Sequence, residues 1–168
     1  MKTSLAILSI LIACPVCFGQ MTNIDGLFGI KLGEPLPASC TNSMSDFTES
    51  DERGFPIISP IIPPRKNSEF KMYTVVLNPS NHLVCRIVAG TLQDPDHEVF
   101  DGIRDVLRKR YGNEDEKQSY TNANVISLSW ALDRRSLILR HEDSACILEC
   151  RDDFLASHPA RVTDTNGL

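Results

Sequence analysis

The clearest periodic pattern in the sequence is that of an amphipathic helix between Asp94 and Gly112. Apolar residues recur at helical spacing along this stretch, and charged residues occupy the opposite face. The apolar positions are Val99, Phe100, Ile103, Val106, Leu107 and Tyr111. Asp94 suits the N-cap, Pro95 the first helical position, and Gly112 the left-handed residue after the last turn. The pattern predicts one main helix with an apolar face to bury.

A different pattern, typical of strands, fills much of the remaining chain. Residues 69–77 and 82–92 are joined by the turn sequence Asn78-Pro79-Ser80-Asn81, so they are expected to form a β-hairpin. Three later segments predict a meander: 125–132, 136–141 and 145–151. A short opening strand is expected within residues 24–37. These elements predict an α+β fold, in which an antiparallel β-sheet of about five to six strands carries one main amphipathic helix packed on a face.

Two segments between the opening strand and the hairpin lack a periodic pattern. Residues 38–54 are polar and predict an irregular surface loop that carries Cys40. Residues 55–64 contain four prolines, which cannot donate backbone hydrogen bonds, so an extended crossing is expected there rather than a central strand. Trp130 alternates with Leu128 and Leu132, which predicts a core position for its ring.

The first residues have the pattern of a cleavable secretory signal peptide. Lys2 precedes an apolar run over residues 5–12 that is too short to span a membrane, and small residues lie just before Gln20, as signal peptidase requires. This predicts a signal peptide at 1–19, a single α+β domain at 20–156 and a flexible C-terminal tail at 157–168. The expected location is periplasmic or extracellular.

Lipidation is an alternative for the same segment. Residues 11–14 resemble a bacterial lipobox, in which Cys14 would carry lipid and make the protein a membrane-anchored lipoprotein. Two features favour cleavage after Gly19 instead. Pro15 directly follows the cysteine, and lipidation would leave five further cysteines, an odd number, in the mature chain.

The charge of the chain argues against several classes of partner. There are 17 basic and 22 acidic residues, so loss of Lys2 with the signal peptide leaves 16 against 22, a net charge of about −6. Such a surface disfavours nucleic acid and anionic membranes as partners. No later segment has the length and apolar character of a transmembrane helix.

Four cysteines of the predicted mature chain suggest disulfides in an oxidising compartment. Cys146 and Cys150 are four residues apart on one predicted strand, at about 13 Å between α-carbons, which is too far for a bridge. The expected pairing is therefore Cys40 with one of them and Cys85 with the other. The alternative is that all four are small buried apolar side chains. The apolar strand faces expected around them comprise Leu83, Cys85, Ile87 and Ala89, and Cys146, Leu148 and Cys150.

No catalytic, cofactor-binding or metal-binding residue is predicted from the sequence. Two polar clusters offer metal-ligand types: Asp94, Asp96, His97 and Glu98, and His141, Glu142 and Asp143. A helix start accounts for the carboxylates of the first cluster, and a turn accounts for the second. His82 and Cys85 lie three apart on a strand, so their side chains are expected on opposite faces rather than as a catalytic pair.

The lack of a convergent polar site favours binding over catalysis. The leading hypothesis is a non-catalytic exported protein that binds another protein or an envelope component, in the manner of an inhibitor, immunity factor or assembly accessory. The alternative is a small extracytoplasmic hydrolase with a site assembled from residues distant in sequence. A histidine within reach of a hydroxyl or thiol and a carboxylate would favour the hydrolase, whereas an apolar patch without such a site would favour binding.

Overall fold

The computed structural model describes residues 23–42, 48–120 and 125–157. The predicted signal peptide, the alternative lipidation residue Cys14 and the predicted tail beyond Ser157 lie outside these residues. Neither helix in the described part of the chain is long and apolar enough to cross a membrane.

The described residues form a mixed α+β fold with antiparallel strand pairings. In chain order the elements are β1 (Gly26–Leu27), β2 (Ile30–Lys31), β3 (Thr41–Asn42), β4 (Thr48–Ser50), β5 (Pro56–Ile58), β6 (Ile61–Ile62), β7 (Met72–Leu77), β8 (Val84–Gly90), α1 (Glu98–Tyr111), β9 (Glu116–Tyr120), β10 (Val125–Leu132), β11 (Arg135–Glu142), β12 (Ala145–Asp152) and α2 (Asp153–Ser157). Eight strands build one sheet in the order β4-β5-β7-β8-β12-β11-β10-β9, and β1-β2 and β3-β6 form two small sheets.

The predicted hairpin and meander are present, but the large sheet has eight strands rather than about five to six. The additional strands are β4, β5 and β9. Pro56 is the first residue of β5, where its missing N–H is tolerated, and Ile57 pairs with Val76 of β7. β4 and β9 lie at the two edges of the sheet and have polar sequences. Backbone hydrogen bonds join them to the sheet, and a hydrophobic pattern does not report such bonds.

Helix α1 is the main helix, as predicted, but it begins later than expected. His97 occupies the N-cap position in a left-handed conformation, with φ 60°, and its side chain caps nothing. Asp94 still supplies the cap, because its two carboxylate oxygens accept the backbone N–H groups of Val99 at 3.0 Å and Phe100 at 2.9 Å. Gly112 ends the helix with φ 89° and donates its N–H to the Arg108 carbonyl, as a C-terminal glycine does.

One face of the large sheet carries the main hydrophobic core. Phe100, Ile103 and Leu107 of α1 pack there together with side chains of β11 and β12, and the opening residues of the described chain join the same cluster. Trp130 is buried as predicted, and its indole N–H donates to the Gly112 carbonyl at 3.0 Å. This bond ties the sheet to the end of α1.

A β-bulge changes which face Cys85 occupies. Val76 pairs with Arg86 and Leu77 pairs with Val84, so Cys85 is the extra residue on β8. The predicted common face for Leu83, Cys85, Ile87 and Ala89 is therefore wrong at Cys85, which packs with Phe55 and Val76 in a separate cluster on the other face. Cys146, Leu148 and Cys150 do share one face, and all three belong to the main core.

Candidate functional site

A cleft of about 400 Å³ lies between β1-β2, α1 and the large sheet. We call it the hairpin cleft, because β1-β2 and the turn between them form one of its walls. Its apolar lining includes Leu27, Phe28, Phe70, Val106, Leu107 and Leu148. A cleft of this size and lining is typical of a small-molecule site.

The wall of the hairpin cleft forms because glycines permit a very tight turn. A side chain at Gly26, which has φ 155°, would place its Cβ only 2.0 Å from the carbonyl oxygen of Ile30. Phe28 lies at the tip of the turn and is half-buried, because its ring packs edge-on against Phe70 at 5.5 Å and Tyr73 at 5.1 Å between centroids. These contacts dock the hairpin onto the protein and leave the cleft beneath it.

Arg135 holds the same N-terminal segment from the side of the large sheet. Its guanidinium donates to the backbone carbonyls of Ile24 and Leu32, each at 3.1 Å, and to the Asp25 carboxylate at 3.0 Å. Its Nε also lies 3.5 Å from the fully buried carboxylate of Asp152. These contacts leave the Arg135 side chain just 15% exposed.

The rim of the hairpin cleft is cationic although the whole chain is acidic. Lys31, Arg65 and Arg110 line it, and the one lining carboxylate, Asp25, is already paired with Arg135. Tyr111 lines the cleft as well, and burial raises the pKa of its phenol. The hydroxyl therefore stays protonated at neutral pH and can donate. An apolar body with an anionic end matches this lining.

The two polar clusters of the sequence meet in the structure, which their separation in the chain did not predict. His97 and His141 stack with ring centroids 3.7 Å apart and an angle of 18° between the rings. His141 is buried, its Nε2 lies 2.7 Å from the Asp94 carbonyl oxygen, and its Nδ1 has no partner in the described residues. The remaining members of the clusters stay apart from this pair: Asp96, Glu98 and Asp143 are exposed and Glu142 is half-buried.

Among the described residues, this histidine pair lacks the additional side chains that a metal site or a hydrolase site would bring to it. No group of three or more metal-ligand side chains occurs among the residues that the structure describes. The ring hydrogen bond of His141 goes to a backbone carbonyl and not to a carboxylate, hydroxyl or thiol. His82 lies in an exposed turn with φ 56°, whereas Cys85 is buried, so they do not form a pair either.

The four described cysteines are free thiols: Cys40, Cys85, Cys146 and Cys150. Burial raises the pKa of Cys85 to about 11 and the pKa of both Cys146 and Cys150 to about 12, so these thiols are not activated nucleophiles. Cys85 lies on the other face of the sheet from Cys146 and Cys150. The predicted pairings of Cys40 and Cys85 with Cys146 and Cys150 stay predictions, although the opposite faces do not favour a bridge from Cys85.

Sequence reasoning missed the hairpin cleft, although one signal pointed to it. Leu27 and Phe28 are large apolar residues between two glycines, a setting where polar turn residues are the rule. Apolar residues at such a tip indicate that the turn packs on something. The partners that complete the cleft lie in α1 and β12, about 75 to 120 residues later in the chain, and no local pattern identifies them.

Comparison with known proteins gives little further information. No family model matches the chain, and no curated protein matches it. Among solved structures, the chain is similar to a DUF4309 family protein, YjgB, from Bacillus subtilis subsp. subtilis str. 168. The similarity covers 72% of each chain, with 14% sequence identity and a TM-score of 0.37.

Proposed function

We propose that this chain is a non-catalytic exported binding protein, and that the hairpin cleft takes an envelope amphiphile with an apolar body and an anionic end. The observation that carries this proposal is the lining of the cleft, which is apolar inside and has Lys31, Arg65 and Arg110 at its rim. A cation beside a mostly apolar cavity favours the anionic end of a ligand over a cationic or neutral one.

The dimensions of the cleft favour a small amphiphile over a protein partner. Stable protein interfaces bury roughly 1,200 to 2,000 Å² in total, and they need a correspondingly broad apolar surface. The hairpin cleft is instead a narrow cavity of about 400 Å³, which lies in the range of small-molecule sites. Of the two partners expected from the sequence, an envelope component fits better than another protein.

The protonation of the candidate thiol nucleophiles and the hydrogen-bond partners of the candidate histidine bases count against the hydrolase alternative. The thiols with raised pKa values are protonated at neutral pH, and no described histidine hydrogen-bonds a carboxylate, hydroxyl or thiol. Export through a signal peptide at 1–19, a mature domain at 20–156 and a tail at 157–168 remain part of the proposal. Anchoring through Cys14 is the alternative.

A dye-displacement titration tests the binding proposal. We expect 1-anilinonaphthalene-8-sulfonate to fluoresce in the cleft and dodecanoate to displace it, whereas dodecyltrimethylammonium of equal chain length should displace it far less. Arg65→Glu should weaken dodecanoate binding by about tenfold or more, because it replaces a rim cation with an anion. Lys109→Glu is the matched control, since Lys109 is exposed on α1 outside the cleft.

Three outcomes would contradict the binding proposal. One is equal displacement by the anionic and cationic amphiphiles, and another is equal weakening by Arg65→Glu and Lys109→Glu. The third is turnover of a p-nitrophenyl ester by the wild-type protein that His141→Gln abolishes, which would support the hydrolase. Intact-mass measurement of the exported protein tests the processing separately, because a chain beginning at Gln20 supports cleavage and an acylated chain beginning at Cys14 supports anchoring.

A further inference from the structure

A second cavity, of about 460 Å³, lies on the opposite face of the large sheet from the hairpin cleft. It forms where α2 and the turn before β5 meet strands β7, β8 and β12. Its apolar side consists of Phe55, Val76 and Cys85. The rest of the lining comprises three arginines, Arg53, Arg86 and Arg151, with Asp153, Ala156 and Ser157 of α2. We call it the arginine pocket.

The arginine pocket depends on the β-bulge in β8. The extra residue at Cys85 turns that side chain away from the main core and towards Phe55 and Val76. On its other side β8 pairs with β12 in an unbroken register, which places Arg86 directly opposite Arg151. Like charges in directly opposed positions destabilise a sheet.

Two of the three arginines already have counter-charges. Arg53 pairs with Asp51 at 3.4 Å, and Arg151 pairs with Asp153. Arg86 has no such pairing, and its Nε is buried without an acceptor in the described part of the chain. Among the described residues, the arginine pocket therefore holds one guanidinium that has no counter-charge and one buried donor, the Nε of Arg86, without an acceptor.

The neighbouring carboxylate on the same sheet face does not supply that acceptor. Glu149 of β12 is buried and pairs with Arg140 of β11 at 3.4 Å. A buried donor without an acceptor is costly, and this cost favours a bound anion in the pocket.

We propose that the arginine pocket binds the phosphoryl group of a small organic phosphate. Guanidinium groups recognise phosphate through paired N–H donors, and a tetrahedral phosphoryl group offers oxygens to Arg86 and Arg151 at the same time. A carboxylate has only two oxygens for the opposed arginines. The pocket also has space and an apolar side, at Phe55 and Val76, for the organic part of the ligand.

Isothermal titration calorimetry tests this proposal by measuring the heat released when phenyl phosphate is titrated into the wild-type chain. We expect phenyl phosphate to bind more tightly than inorganic phosphate, since only phenyl phosphate reaches the apolar side. Arg86→Gln should weaken binding by about tenfold or more, because it removes charge-assisted donors. Arg140→Gln is the matched control, since Arg140 also has a buried Nε without an acceptor but lies outside the arginine pocket.

The phosphate head group of a membrane lipid offers the same chemistry. A second experiment therefore measures binding to vesicles. Phosphatidylcholine vesicles that contain phosphatidic acid should not bind the protein more strongly than pure phosphatidylcholine vesicles do. Vesicle binding without phenyl phosphate binding would overturn the small-molecule assignment. Equal weakening by Arg86→Gln and Arg140→Gln, or no heat of binding at millimolar phenyl phosphate, would overturn the site itself.

A measurement on the wild-type chain keeps the proposal testable if the variants fold poorly. Cys85 lies in the arginine pocket, whereas half-exposed Cys40 packs against the main core on the other face. Phenyl phosphate should therefore slow the alkylation of Cys85 and leave the alkylation rate of Cys40 unchanged. Equal rates at Cys85 with and without phenyl phosphate would contradict occupancy of the pocket.

Discussion

Replacement of Arg135 by methionine is expected to release the N-terminal wall of the hairpin cleft. Arg135 joins this segment to the large sheet through the carbonyls of Ile24 and Leu32 and the carboxylate of Asp25. The same guanidinium lies beside the fully buried Asp152. Methionine is similar in length and apolar, so Arg135→Met removes the charge and the donors while it keeps much of the volume.

The expected loss of stability comes mainly from the buried carboxylate of Asp152, which loses its ion pair with Arg135. Removal of one member of a buried ion pair destabilises a protein by about 3 to 5 kcal/mol. Asp152 also lies 3.1 Å from Arg134, which partly compensates, so the lower end applies and we expect about 3 kcal/mol. The pair with Asp25 adds little, because that carboxylate is 65% exposed. For a chain of this size the melting temperature should fall by roughly 6 to 12 °C.

Urea denaturation followed by the fluorescence of the buried Trp130 measures this loss. Arg134→Met is the matched control, because Arg134 pairs with the same Asp152 but its side chain is 51% exposed, and we expect a loss below about 1 kcal/mol. Hydrogen exchange gives a local readout at the Leu32 N–H, which donates to the Asp25 carbonyl at 2.8 Å. Losses that agree to within about 0.5 kcal/mol in the two variants would refute the reasoning, since surface substitutions alone fall in that range.

Three further predictions concern the helix cap, an ion pair and the thiols. Asp94→Ala should destabilise the chain by about 2 kcal/mol in urea denaturation, because two backbone N–H groups lose their acceptor. Arg108 holds the pKa of Glu114 at about 2, below its ordinary 4.5, so this carboxylate stabilises the fold above pH 4.5 and loses that effect as the pH falls towards 2. Glu114→Gln should therefore flatten the dependence of the melting temperature on pH in this window. In the reduced native protein, iodoacetamide should modify half-exposed Cys40 first and Cys150 only on unfolding, because burial raises the pKa of Cys150 to about 12.

Each of these expectations has an outcome that contradicts it. Asparagine keeps an acceptor oxygen, so Asp94→Asn should lose less stability than Asp94→Ala. Equal losses in the two variants would contradict the capping role of Asp94. An unchanged pH profile in Glu114→Gln would show that the pair with Arg108 contributes nothing to stability in acid. Modification of Cys150 at the rate of Cys40 in native protein, measured by peptide mass mapping, would contradict the burial of that thiol.

The elements with a strong apolar period were predictable from the sequence because each buries one face along its own length. The hairpin β7-β8, the meander β10-β11-β12 and the helix α1 all occur where the pattern indicates them. The strands without such a period were missed. Pro56 and the polar residues of β9 are held by backbone pairing at or near the sheet edges, which leaves no trace in the alternation of side chains.

The features that matter most for binding arise from register and from contacts over long sequence separations. One extra residue in β8 moves Cys85 to the other face of the sheet, and the separate pairing of β8 with β12 places Arg86 opposite Arg151. The meeting of His97 with His141 likewise joins segments that are far apart in the chain. A hydrophobic pattern indicates which face of a strand is buried. It does not show where a bulge adds a residue or which distant segments meet, so none of these contacts could be predicted from it.

The sequence by itself determined the fold class, the main helix with its glycine end, and the central strands, because burial of one face imposes a period that residues carry locally. Only the tertiary structure decided the hairpin cleft, the arginine pocket and the faces that the cysteines occupy. These features depend on which distant side chains become neighbours. The strand order, the bulge at Cys85 and the hydrogen bonds from Arg135 to the N-terminal segment determine those neighbours.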